Sequence, residues 1–117
     1  MNNTASTLLL SALLAAPLAS AFKLTGVAPR IFSPRAADAA ANRVNFSFSN
    51  PDGAEVTIRI FDVGGALVRR NLDYDPGTGK MYWNGRNQGG SFVKGGVYIY
   101  QIETGAEVLT GTVVVAI

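Results

Sequence analysis

The 117-residue sequence contains no cysteine and no histidine. These two absences remove disulfide bonds, thiolate nucleophiles, imidazole general bases and the side chains from which most zinc and copper sites are built. Stability therefore has to come from packing and hydrogen bonding. Charge is also sparse: Asp, Glu, Lys and Arg make up 15% of the chain, and ten basic against eight acidic residues leave a formal net charge of +2. The longest run of like charge is Arg69-Arg70. A phosphate-binding surface needs basic residues gathered on one face, preferably between exposed aromatics, so no nucleic-acid partner is expected.

Long apolar runs are equally scarce. The one that stands out, Leu8 to Leu18, is broken by Pro17 and followed by Ala19-Ser20-Ala21, small residues at the spacing a signal peptidase requires. It reaches only about half of the roughly 20 apolar residues that a membrane-spanning helix needs. Residues 1–21 therefore read as a cleavable signal peptide, although its first seven residues carry no Lys or Arg and only the α-amino group supplies positive charge. Cleavage after Ala21 leaves a mature chain with no membrane span, exported to the periplasm, the cell surface or the medium.

What the mature chain does contain is a series of short strand-forming runs punctuated by glycine and proline. Hydrophobic residues account for 48% of the sequence, a proportion that favours a packed globule over a disordered chain. Residues 22–43 read as an extended lead-in with one short edge strand near Arg30 to Ser33 and an alanine-rich helical turn too short to hold alone. From residue 44 onward Val44, Phe46 and Phe48 alternate with polar residues. After the Asn50-Pro51-Asp52-Gly53 turn, Val56, Ile58 and Ile60 do the same. Further strands are expected at Leu67 to Leu72, Met81 to Trp83, Val97 to Ile102 and Val108 to Ile117, with loop between Asp73 and Lys80 and a long loop after Trp83. The run Val113-Val114-Val115 predicts a strand covered on both faces. The fold class is all-β, a sandwich of about seven strands whose domain spans residues 44–117.

Three segments resemble the FlgD-type immunoglobulin-like domain of flagellar hook-cap proteins and of related secreted bacterial modules. These are Arg59-Ile60-Phe61-Asp62-Val63-Gly64-Gly65-Ala66-Leu67-Val68-Arg69, Trp83-Asn84-Gly85-Arg86-Asn87 and Gly95-Gly96-Val97-Tyr98-Ile99-Tyr100. They occur in the family's order, and the resemblance covers about residues 30–117. It implies an immunoglobulin-like sandwich and a structural or adhesive role. Residues 32–43 stand where related domains often carry an acidic, amide-rich loop. Only Asp38 and Asn42 remain there, whereas calcium takes six to eight oxygens, so neither metal nor cofactor is expected.

The remaining chemical motifs fail on spacing. Gly77-Thr78-Gly79-Lys80 lacks the phosphate-loop pattern because Tyr74 and Met81 stand where Gly and Ser or Thr are required. Asp73 and Asp75 open like a calcium loop, but Thr78 and Asn84 occupy its glycine and glutamate positions. Asn45-Phe46-Ser47 falls within a strand and reads as strand sequence rather than as a glycan acceptor. With no paired carboxylates at motif spacing, no enzymatic activity is expected.

The expected function is a non-enzymatic structural or interaction module of an extracellular or envelope assembly, working through a protein partner or self-association. The alternative is an adhesion domain that binds carbohydrate or protein through the loop at residues 83–94. The aromatic residues are expected mainly in the core. Trp83, Tyr82, Arg86, Arg69 and Arg70 are the candidates for partner contact, since aromatics and arginine dominate binding hot spots.

Overall fold

The computed structural model describes residues 21–105 and 107–117. Apart from Ala21, the expected signal peptide lies outside the described residues. These residues form nine strands: β1 (Lys23–Ala28), β2 (Ile31–Phe32), β3 (Val44–Ser49), β4 (Thr57–Asp62), β5 (Leu67–Arg69), β6 (Asp73–Asp75), β7 (Lys80–Trp83), β8 (Gly96–Glu103) and β9 (Val108–Val115). One sheet has the order β1-β3-β7-β6 and the other β2-β9-β8-β4-β5. Every pairing is antiparallel except that of β2 with β9. The architecture is an immunoglobulin-like β-sandwich.

The period-two segments behave as their patterns require. In β3, Val44 and Phe46 are buried, and in β4, Ile58 and Ile60 are buried, but the two strands lie in different sheets and pack rather than pair. Turn chemistry explains the reversals. Asn50 accepts from Ala54 N through Oδ1 and donates to Ala54 O through Nδ2. Asp62 Oδ1 takes Gly64 N and Ala66 N at 3.0 and 2.9 Å, closing the turn between β4 and β5.

Two strands beyond the expected seven come from segments without a clean apolar alternation. β1 pairs with β3 along the lead-in, with a register shift between Leu24 and Gly26, and residues 22–32 supply Phe22, Val27 and Phe32 to the core. β6, read from the sequence as loop, is Asp-Tyr-Asp and is defined only by its pairing with β7. The alanine-rich segment closes as a single helical turn from Asp38 to Asn42, with no helix continuing it. Ser33 N donates to Ala41 O, Asp38 O receives Ala41 N and Asn42 N, and Asp38 Oδ1 receives Ala40 N. Asn42 Nδ2 donates to Ala36 O, so the one acidic and the one amide side chain of this loop are engaged in closing it.

Aromatic edges hold the sheets face to face. The Trp83 ring on β7 meets Phe32 of β2 at 5.6 Å and Tyr98 of β8 at 5.3 Å, both edge-on, and Phe46 of β3 meets Tyr100 of β8 at 5.3 Å. Edge-to-face contacts at such separations add about 0.5–1.5 kcal/mol each beyond area burial. The buried Tyr100 side chain lies across Gly111, its partner on β9, where a Cβ would run into the phenol ring.

Gly111→Ala is therefore expected to cost about 1–3 kcal/mol in urea unfolding, the range for overpacking a filled core. Gly26→Ala, where an added Cβ meets nothing within 4 Å, should change stability by less than about 1 kcal/mol.

Candidate functional site

Trp83 ends β7 and organises the loop that follows. Its indole Nε1 donates to Arg86 O at 2.9 Å, and Asn84 Oδ1 accepts from Arg86 N, which closes a tight turn around Gly85. Gly85 adopts a φ of 76° and is buried against Pro34 and Phe32, so a side chain here would be both strained and obstructed. Val93 N returns to Gly85 O, Asn87 N donates to Ser91 O, and Arg86 bridges to Phe92, making residues 85–93 a small hairpin. Arg86 stacks over the Phe92 ring at 3.9 Å and Arg35 at 4.3 Å. Both guanidinium groups thus rest on the Phe92 ring.

Of the five residues proposed for partner contact, Trp83 is fully buried and presents no face to a partner. Tyr82 points to the opposite side of β7, where the Arg43 guanidinium covers its ring at 4.2 Å. Arg69 ties the sheets together, with Nη2 3.3 Å from Asp73 Oδ1 and Nη1 3.5 Å from Asn84 Oδ1. Arg86 is held by Phe92 and by Gly90 O at 2.8 Å. Arg70 is exposed, and the structure brings it beside the loop through its backbone N, which donates to Gln88 Oε1 at 3.0 Å. The stacking platform that a sugar would need is thus occupied from within: Trp83 by the core, Tyr82 and Phe92 by arginines.

The sheet edges differ in how they are protected, a feature the composition did not expose. At the β5 edge, Val68 O receives Gln88 N at 2.9 Å and Arg70 N binds the Gln88 side chain, so the loop satisfies the strand's outward groups. The β6 edge is three residues long and carries Asp73 and Asp75. The β1 edge is bulged and begins with Lys23. Short, charged or bulged edges resist pairing with another chain. By contrast, β2 covers only Val114 and Val115 of β9. On the outer face of the same sheet Ile31, Val114 and Val97 stand in register across three strands, with Ile31 and Val97 exposed. The run Val113-Val114-Val115, expected to be covered on both faces, buries Val113 and Val115 inward and leaves Val114 half-buried in this row. The signal for it was the parity of the run: two valines take one face and the third the other.

An open cleft of about 500 Å3 lies between β5 and the loop, lined in part by Asp62, Leu67, Gln88, Phe92, Lys94 and Tyr98. The Tyr98 phenol donates to Lys94 O at 2.6 Å at its floor. Burial, and secondarily the Asp62 carboxylate, push the Tyr98 hydroxyl above the ordinary tyrosine value of 10.0.

Comparison with solved structures finds PorZ, an essential bacterial surface component of the type-IX secretion system of Porphyromonas gingivalis, at 20% sequence identity and a TM-score of 0.56. The likeness covers 80% of this chain and 11% of the PorZ chain, and it shows a shared fold. No family model and no curated protein matches the sequence.

The raised Tyr98 hydroxyl has a consequence for stability at alkaline pH. The unfolded chain loses this proton first, so Tyr98 favours the fold fully below pH 10 and the advantage falls as pH rises toward the folded value. Urea midpoints measured across that range should decline for the wild type, and Tyr98→Phe should flatten the decline while lowering stability at neutral pH by about 0.5–1.5 kcal/mol for the lost hydrogen bond.

Proposed function

We propose that this protein is an exported, non-enzymatic module of an extracellular or cell-envelope assembly, built on a FlgD-type immunoglobulin-like domain and acting by surface contact with protein. The observation that carries the reading is the contrast among the sheet edges. Three are blunted, while the uncharged stretch Val108–Thr112 of β9 is open beside the apolar row Ile31, Val114 and Val97. Main-chain groups on an open edge give affinity for an added strand, and the neighbouring side chains give selectivity. The three segments that resemble the FlgD type support the reading because each has a definite place in the fold, as the Asp62 turn, the Trp83 turn and the Tyr98–Tyr100 strand that fills the core. PorZ, whose fold the chain shares, is a bacterial surface component, and the same kind of location is proposed here.

A second reading, binding of a protein ligand by the loop at residues 83–94, draws on the cleft beside β5, whose mouth is flanked by the exposed Leu67. Carbohydrate is disfavoured as the ligand because the loop aromatics are already covered.

Cleavage after Ala21 would leave the core whole, since Phe22, packed on Phe48 at 5.3 Å, is the first buried residue described. Cells expressing the full chain should therefore accumulate a processed form beginning at Phe22, found by mass spectrometry in the envelope or medium. An unprocessed chain confined to the cytoplasm would contradict the proposed role.

A further inference from the structure

β9 pairs along its whole length with β8, but on its other side only Val114 and Val115 meet β2. Val114 N donates to Arg30 O and Ala116 N to Phe32 O, so the even-numbered residues aim their backbone groups away from β8. Antiparallel hydrogen bonding alternates along a strand, and the same therefore holds for Val108, Thr110 and Thr112. Among the described residues no strand lies beside them on that side, and only Thr112 O is met, by Arg30 Nη1 at 3.2 Å. The stretch Val-Leu-Thr-Gly-Thr has no charge and no proline, the residues that commonly protect an edge.

We infer that this edge pairs antiparallel with the same edge of a second copy, about a twofold axis at Leu109, joining two sheets into one. The inference rests on the assembly reading above and names its partner. Self-pairing is favoured because outward groups repeat at every second residue, so Val108 and Thr110 of one copy meet Thr110 and Val108 of the other in matched pairs. Half-exposed Val108 and Leu109 then gain a neighbour on each face.

Charge supplies the second argument. Arg30 stands at one end of the open stretch and Glu107 at the other, and neither has an ion-pair partner among the described residues. An antiparallel neighbour turns Glu107 of each copy toward Arg30 of the other. Within one chain the two ends are separated by roughly 17 Å of strand, beyond reach of an ion pair. A twofold pairing therefore joins both charges of each chain, which a single added strand from another protein has no reason to do.

The test uses the processed protein isolated after expression of the full chain, with molar mass followed by light scattering over a concentration series. The wild type is expected to form dimers. Thr110→Lys places like charges beside the axis at an exposed position and is expected to give a monomer with unchanged circular dichroism and thermal midpoint. Arg30→Glu and Glu107→Arg should each weaken the dimer by roughly tenfold in Kd, and the double exchange should restore it. Restoration cannot arise within one chain, and it separates pairing from a folding defect. A wild type that stays monomeric throughout overturns the inference, as does a dimer indifferent to Thr110→Lys and to the charge reversals. If that monomer is nevertheless processed and exported, the assembly reading stands and only self-pairing fails.

Discussion

The rest of the structure depends on where the Trp83 indole sits. Its ring lies on the inner face of one sheet and meets Phe32 and Tyr98 of the other edge-on, so a single side chain fixes how the layers face each other. Its one polar atom cannot be left bare in that environment, since an unpaired buried donor costs about 1–3 kcal/mol. The Arg86 carbonyl satisfies it, and this requirement dictates the turn at Gly85, the packing of Pro34 against that turn and the start of the loop hairpin. The core thus orders the loop, and the loop in turn covers the β5 edge through Gln88.

That chain of dependence bears on function. A β-sandwich needs protected edges, because an exposed, uncharged strand pairs with whatever offers a complementary one. Protection here is local and specific: a glutamine at β5, two aspartates at β6 and a bulge at β1. Set against these devices, the flank of β9 at Val108–Thr110 and the Ile31–Val114–Val97 row are less protected. The arginines around the loop at residues 83–94 are held within the fold, Arg35 and Arg86 on the Phe92 ring and Arg69 by Asp73.

Much of the architecture was legible because the core strands carry period-two patterns, as in Val44-Asn45-Phe46 and Ile58-Arg59-Ile60, and because Asn50 and Asp62 announce their turns. β1 and β6 were not legible as strands, since a glycine-containing bulge and an Asp-Tyr-Asp edge owe their conformation to pairing partners rather than to their own pattern. The candidate contact residues were chosen by type, and type alone cannot tell a buried indole from an exposed one. Tertiary packing engaged Trp83, Arg69 and Arg86 within the fold and left the β9 edge, a stretch of ordinary valines and threonines, as the open surface.

The central claim is that Trp83 is a sealed keystone rather than a contact residue, and because it is the sole tryptophan its own fluorescence reports on it. Iodide and acrylamide quenching of the folded protein tests the claim most directly. A blue-shifted emission, protected from both quenchers until the chain unfolds and then lost in the same transition as the β-sheet circular dichroism, is the result predicted here. A red-shifted native emission that iodide quenches freely would contradict it.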